Sequence, residues 1–317
     1  MFETAELGRK ITQRDFKMQV PVLRTELLKA QQELRREKKF QVMIVLGGVD
    51  GAGKSEMANT LSGWMDPRGI ATHEFGPPTE DEIERPEYWR YWKTMPPKGD
   101  IAIYIGAWYS RPLIDNAYER TGLATYDCDL SRIVAFEREL VNDGVLILKF
   151  WMHLGKKAQK KRLDALEKDP LTRWRVTDHE KENWTRYDRF EVASDRLIHK
   201  TNTAETSWDI VEGEDPNYRT LTIARTVLSK MRQRLSVKCV NGMALPLFVP
   251  SDQEPAINVL RQLDLNQNIS KKEYKIELEK YQGRLNRLAL EAHQSGLSTV
   301  LIFEGADAAG KGGAIRR

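Results

Sequence analysis

Cysteine is scarce: the 317 residues hold two, Cys128 and Cys239. Their separation gives neither a metal-ligand nor a redox spacing, which excludes a disulfide framework. Both are expected to pack as small apolar residues in a reducing compartment. Long apolar runs are also missing. None approaches the roughly 20 residues that a membrane span needs. The start, Met-Phe-Glu-Thr-Ala-Glu-Leu, lacks the basic and apolar regions of a secretory signal. A cytoplasmic protein that does not engage membranes is therefore expected. Charge of one sign is not in great excess, with 50 Lys and Arg against 46 Asp and Glu for a net +4. That balance fits an anionic substrate without requiring one, a solvated basic face would account for it equally, and nucleic acid is not expected as a partner. No zinc spacing and no nucleophile elbow occurs. His153 and His179 stand alone and are expected to be structural.

What remains is an ordinary globular composition, 40% apolar and 30% charged. It supports a substantial core in one large domain or two modest ones. The most informative feature is a loop that occurs twice. Gly48-Val49-Asp50-Gly51-Ala52-Gly53-Lys54-Ser55 follows the run Val42-Met43-Ile44-Val45-Leu46. Gly305-Ala306-Asp307-Ala308-Ala309-Gly310-Lys311-Gly312 follows Val300-Leu301-Ile302-Phe303. A strand running into a glycine-rich loop that ends in Gly-Lys is a phosphate cradle. The glycines allow successive N–H groups to face one anion, the lysine adds a mobile charge, and the next helix adds its N-terminal dipole. Gly48, Gly51, Gly53, Lys54 and Ser55 are thus the expected phosphate-binding residues, with Gly305, Gly310 and Lys311 in the second copy. Asp50 and Asp307 are unusual inside such loops. A carboxylate there repels phosphate unless a metal lies between, so both are expected to face a metal, with a loop-capping role as the alternative.

The repeat sets the domain plan. Lys54 and Lys311 are 257 residues apart, too far for a solenoid unit and suited to a duplicated domain. The likeness extends upstream: Phe16-Lys17-Met18 opens a helical segment over 22–39, and Tyr274-Lys275-Ile276 opens another over 278–294. Helices are expected at 55–64, 131–142, 156–168, 180–201 and 218–235, and strands at 100–105 and 145–150. Strands separated by helices imply a parallel sheet covered on both faces. The expected domains are 1–240 and 256–317, joined by a proline-rich linker at 241–255. The second copy stops at Arg317, before its domain is complete. Its tail, with no sheet partners of its own, is expected to be poorly ordered or docked without a native partner.

A phosphoryl-transfer site of this kind needs a second metal carboxylate at a strand tip. The tip Ile105-Gly106-Ala107-Trp108-Tyr109-Ser110-Arg111 has none, and Asp115 falls in the next helix. The segment 155–175 carries Lys156, Lys157, Lys160, Lys161, Arg162, Arg173 and Arg175. It reads either as a lid that spreads transition-state charge or as a solvated helix face. Tyr88-Trp89-Arg90-Tyr91-Trp92, Trp174, Trp184 and Tyr187 can stack a base, although packing is the expected role for most of them.

These residues resemble a known family. The first loop, Trp89-Arg90-Tyr91-Trp92, Pro96-Pro97-Lys98-Gly99 and Trp108-Tyr109-Ser110-Arg111 look like family-2 polyphosphate kinases. So do Lys160-Lys161-Arg162-Leu163, Asp169-Pro170-Leu171-Thr172-Arg173-Trp174 and Trp184-Thr185-Arg186-Tyr187. The series covers about residues 15–235, and the tandem plan is similar to the two-domain members that pass the terminal phosphate of polyphosphate to AMP. The resemblance implies an α/β fold, a three-layer α/β/α sandwich like thymidylate kinase with a parallel sheet and a helical lid. It also implies magnesium as cofactor and polyphosphate and AMP as substrates, and a homo-oligomer is expected. Lys54, Arg111, Arg162 and Arg173 become the expected catalytic cations. The family usually shows Asp-Arg-Ser-Trp-Tyr where this chain has Ile105 and Gly106 in place of Asp and Arg. Its Gly-Lys-Gly-Gly is kept at Gly310-Lys311-Gly312-Gly313, whereas the first copy reads Gly53-Lys54-Ser55-Glu56. The second copy therefore looks competent and the first diverged. The alternatives are a first domain that is an inactive, polyphosphate-binding scaffold, and an ATP-dependent nucleotide kinase.

Overall fold

The apolar run after Gln41 becomes a strand whose first five residues are buried, as a strand with neighbours on both sides and helices on both faces requires. The computed structural model describes residues 2–237, 268–305 and 310–315. In chain order its elements begin α1 (Gln13–Glu37), β1 (Val42–Gly48), α2 (Lys54–Trp64), β2 (Ile70–Glu74), α3 (Glu80–Ile83), α4 (Trp89–Trp92) and β3 (Ile101–Ile105). They continue α5 (Ser110–Ala117), α6 (Leu123–Asn142), β4 (Leu146–His153), α7 (Lys156–Lys168), α8 (Asp178–Thr185), α9 (Tyr187–Thr201), β5 (Trp208–Glu212) and α10 (Pro216–Ser236). Last come α11 (Lys271–Gln294) and α12 (Lys311–Ile315). Two compact units emerge, one of Met1–Pro78 with Arg90–Gly242, the other of Thr79–Trp89 with Met243–Arg317.

The first unit is a five-stranded parallel sheet in the order β2-β3-β1-β4-β5. Side chains alternate across it. Val42, Ile44 and Leu46 join Leu27 and Leu34 of α1, Met57 and Leu61 of α2, and Val227 and Met231 of α10 in one core. The opposite face is covered by α5, α6 and α9, which pack on one another. This is the three-layer α/β/α sandwich. Local signals fix the helix ends. Thr12 caps α1 by accepting from the Asp15 N–H, and Lys38 closes it in the left-handed region. Asp215 caps α10 just before Pro216.

Several elements differ from expectation. Strands β2 and β5 have no counterpart in the sequence reading. Both lie at sheet edges, pair on one side only, and mix polar with apolar residues, so they lack a continuous apolar run. The helix expected at 180–201 is two helices, broken at Arg186, whose N–H bonds to the Glu182 and Asn183 carbonyls. The Tyr187 hydroxyl then anchors the start of α9 on the Leu154 carbonyl at 2.9 Å. Cys128 is exposed rather than packed, because it falls on the outer face of α6. Cys239, Asp307 and the linker at 241–255 lie outside the described residues, apart from which the second unit has α3, α11 and α12. Its run Val300-Leu301-Ile302-Phe303 forms no strand and is exposed. No partner strand is present among the described residues of that unit, and an unpaired strand has no ladder to hold it. Among the described residues, no helix is long and apolar enough to cross a membrane.

One buried ion pair ties the second helical layer to the sheet. Lys149 of β4 and Glu137 of α6 are both almost fully buried, with Nζ and Oε2 2.9 Å apart. Lys149 also donates to the Thr201 carbonyl at 2.7 Å and the Tyr109 hydroxyl at 3.0 Å. Glu137 accepts from Trp108 Nε1 at 3.1 Å, from the Tyr109 hydroxyl and from Thr206 Oγ1 at 3.0 Å. Burial pulls the ammonium pKa down while Glu137 holds it up, and burial beside that carboxylate pushes the Tyr109 hydroxyl well above its ordinary value. Each charge is thus surrounded by partners. Lys149→Met should cost about 3–5 kcal/mol by stranding the Glu137 carboxylate, whereas Lys149→Met with Glu137→Leu should cost less. Urea unfolding of the two variants measures this, and a double mutant as unstable as Lys149→Met alone, or more so, would contradict it.

Candidate phosphate-binding site

The first loop leaves the carboxyl end of the central strand β1 and turns into the N-terminus of α2. In open α/β sheets ligands bind outside the carboxyl ends of the strands. Three glycines shape the loop with positive φ, Gly48 at 135°, Gly51 at 78° and Gly53 at 90°. Gly48 is also tight: an added Cβ would lie 2.1 Å from the Met152 carbonyl oxygen. Lys54 folds back across the loop and donates to the Gly48 carbonyl at 2.8 Å and the Val49 carbonyl at 3.1 Å. Ser55 is exposed beside it.

Asp50 sits under the expected lid. Its Oδ2 accepts from Asn183 Nδ2 of α8 at 2.8 Å, and its Oδ1 is 3.7 Å from Lys54 Nζ. Asn183 is steadied in turn by the Tyr118 hydroxyl at 2.8 Å, and Gln159 of α7 donates to the Asp50 carbonyl at 3.1 Å. So α7 and α8 dock on the loop through two amide side chains that sequence reasoning did not single out. The helices also hold each other, through Lys181 with Glu167 and through Lys160 over the Trp184 ring.

The cations expected over the phosphate divide. Arg162 comes to the loop: Nη2 donates to Glu56 Oε1 at 2.7 Å, and its stem lies 3.3 Å from where a Cβ on Gly51 would be. A second arginine, Arg219 of α10, meets the other oxygen of Glu56, and it is 3% exposed. Its guanidinium packs so closely on Gly53 that an added Cβ would lie 2.4 Å from it. Burial lowers the Arg219 pKa and Glu56 raises it, while nearby Arg162 opposes the charge. The Ser55-Glu56 departure in the sequence marked Glu56, but nothing marked Arg219, which is 163 residues away. Arg111 instead pairs with Asp115 of its own helix at 3.6 Å, and Arg173 is exposed on a single turn after α7. Among the described residues no hydrogen bond or ion pair joins either to the loop. Lys157, Lys160 and Lys161 line a shallow outer groove of about 450 Å³ with Lys168. Tyr91 and Tyr187 are buried packing residues, whereas Trp174 is exposed. His153 is buried but not alone, since its Nε2 is 2.9 Å from Glu6 Oε1, and His179 lies 3.4 Å from Asn183.

Magnesium takes oxygen ligands, commonly one or two carboxylates with substrate phosphates and water. Here the loop offers Asp50, already engaged by Asn183 and Lys54, and the Ser55 hydroxyl. The tip of β3 offers Ile105 and then Gly106, whose φ of 64° carries the chain into buried Trp108 and Tyr109. The remaining cluster with metal-binding chemistry among the described residues, Glu6, His153 and Glu191, contains an imidazole and suits softer ions. These residues do not fit a resident magnesium ion in the first unit.

The described ends of the second loop match those of the first. Gly305 and Gly310 have φ of 154° and 84°, and Lys311 Nζ donates to the Gly305 carbonyl as Lys54 does to Gly48. Gly48→Ala should destabilise the first unit by about 3 kcal/mol through backbone overlap and a strained φ. Gly63→Ala, in α2 with open space around it, should stabilise by up to about 1 kcal/mol. Thermal unfolding of the two variants reads the contrast, and similar melting temperatures would mean that the close approach at Met152 does not constrain the loop.

Residues 10–238 and 268–317 match the polyphosphate kinase 2 family. The chain is 40% identical over 320 residues to the polyphosphate:AMP phosphotransferase of Pseudomonas aeruginosa and 38% identical over 320 residues to that of Pseudomonas syringae pv. tomato. Both alignments cover 100% of this chain and 64% of the relative, so the chain spans about two thirds of their length. A crystal structure of a polyphosphate kinase 2 from Pseudomonas aeruginosa superposes with a TM-score of 0.81 at 38% identity, covering 100% of this chain and 61% of that one. With its parallel sheet, its glycine-rich loop on the central strand and a family match along nearly the whole described length, the chain belongs to the polyphosphate kinase 2 family.

Proposed function

We propose that the protein of which these two loops are part transfers the terminal phosphate of inorganic polyphosphate to AMP, giving ADP. The observation that carries this reading is the phosphate loop at the carboxyl end of the central strand, in a chain whose similar relatives are named for that reaction. An oxygen of the AMP phosphate attacks the terminal phosphorus in line. The bridging bond to the next phosphate breaks, and its electrons stay on the shortened polyphosphate. The protein's part is to position the two anions and to offset charge on the transferred group.

The N–H groups of the second loop and Lys311 are the proposed donors to polyphosphate, and Lys54 is the corresponding lysine of the first copy. Asp307 is the carboxylate that a magnesium ion carried by the phosphates would meet, and Asp50 is its counterpart in the first copy. The second loop, which keeps Gly312 and Gly313, is the proposed reacting cradle. The first unit, without a carboxylate at Ile105, supports it. The proposed setting is cytoplasmic and the proposed assembly a homo-oligomer.

The decisive assay supplies AMP and magnesium with either polyphosphate or ATP, and compares this chain with one extended to the length of the relatives it matches. ADP should form with polyphosphate as donor. Lys311→Ala should cut the rate about 100-fold or more in the longer chain, the scale for losing one transition-state donor. ADP formation with ATP alone would favour an ordinary nucleotide kinase. Activity in this chain abolished by Lys54→Ala would place the chemistry at the first loop.

A further inference from the structure

We infer that Glu56 is a resident anion that closes the first loop to polyphosphate, its carboxylate standing between Arg162 and Arg219 where a phosphate group would otherwise bridge them. The inference rests on reading the loop 48–55 as a phosphate cradle, and it assigns a specific cause to the divergence of that copy.

Two guanidinium groups from distant elements, the lid helix α7 and the first turn of α10, converge on one carboxylate, each on its own oxygen. Guanidinium pairs bridge phosphate oxygens in the same way. Both arginines lie on the loop glycines themselves, Arg162 against Gly51 and Arg219 against Gly53. Their position is therefore that of a substrate contact rather than of a remote surface pair. Both also keep an Nε N–H that is buried without an acceptor. A carboxylate has two oxygens and a terminal phosphate three, so the surplus donors match an anion richer in oxygen than the one present.

The internal repeat supplies a control. In the second copy the position of Glu56 is Gly313, and that of Ser55 is Gly312. A glycine there offers no carboxylate to hold the cations or to repel an incoming phosphate. Polyphosphate entering the first loop must displace Glu56 from a 3%-exposed arginine and then lie beside the freed carboxylate.

The test uses the 317-residue chain with Lys311→Ala throughout, so that the second loop lysine does not contribute, and long-chain sodium polyphosphate as the probe in titration calorimetry. With Glu56 in place, affinity should change by no more than about twofold on Lys54→Ala. Glu56→Gly should bind polyphosphate about 10-fold tighter or better, equivalent to about 1.4 kcal/mol, and Lys54→Ala should remove that gain. Glu56→Gln keeps the shape of the side chain, and should show a smaller gain in the same direction if the glycine variant folds poorly. Circular dichroism melts identify the folded variants. Lys54-dependent binding with Glu56 intact would overturn the inference while leaving the cradle intact. Folded Glu56 variants that gain nothing, with no Lys54-dependent binding in any chain, would overturn the cradle reading of the first loop as well.

Discussion

The position of β1 in the middle of the sheet constrains everything else in the first unit. It pairs with β3 on one side and β4 on the other, in register along Val42–Gly48 with β4. A strand so placed has no free edge and no free face, so its residues must be apolar throughout and its backbone groups are spent in two ladders. Its carboxyl end is the point at which the chain is free to turn. The turn is held by the Val49 N–H on the Met152 carbonyl at 3.2 Å and by the close approach that only Gly48 permits. The helix α2 then begins with its N–H groups facing the loop. This is the geometry on which the proposed phosphate cradle rests, with Lys54 folded back across the loop.

The two layers over the sheet use different physics. On the face of α1, α2 and α10 the core is aliphatic, and its stability comes from apolar area removed from water. On the face of α5, α6 and α9 the Lys149–Glu137 pair collects Trp108, Tyr109, Thr201 and Thr206 around one buried charge pair. The family-like Trp108-Tyr109 therefore belongs to the framework behind the strand tip. With Ile105 and Gly106 ahead of it, that tip presents no oxygen ligand, which separates this unit's framework from the chemistry expected of the family. Lid docking follows the same division. Gln159 and Asn183 hold α7 and α8 to the loop through neutral amides, while the charged contact runs through Glu56.

Much of the centre of the fold was legible in the chain. The runs at 42–46, 100–105 and 145–150 are strands because interior strands need unbroken apolar residues, and the helices between them follow from spacing and caps. The edges were not: β2 contains Thr72, His73 and Glu74 and β5 contains Asp209, residues that a half-solvated edge strand tolerates, while Glu212 is buried and accepts from the Gly8 and Arg9 N–H groups. The break at Arg186 had no glycine or proline to announce it. The site divided similarly. The loop glycines and Lys54 declare themselves because the cradle is built from consecutive residues. Arg111 and Arg173, picked for charge and motif, went elsewhere, since a cation's partner depends on which carboxylate the fold brings near.

The sequence by itself determined that this chain has two glycine-rich loops, each following an apolar run, since backbone turning and phosphate recognition are local properties. It also showed that the copies differ at Ser55-Glu56 against Gly312-Gly313. Only the tertiary structure decided what that difference does. Glu56 meets Arg162 across 106 residues and Arg219 across 163, and a burial that turns a side chain into a counter-ion arises only when lid, loop and α10 fold onto one another.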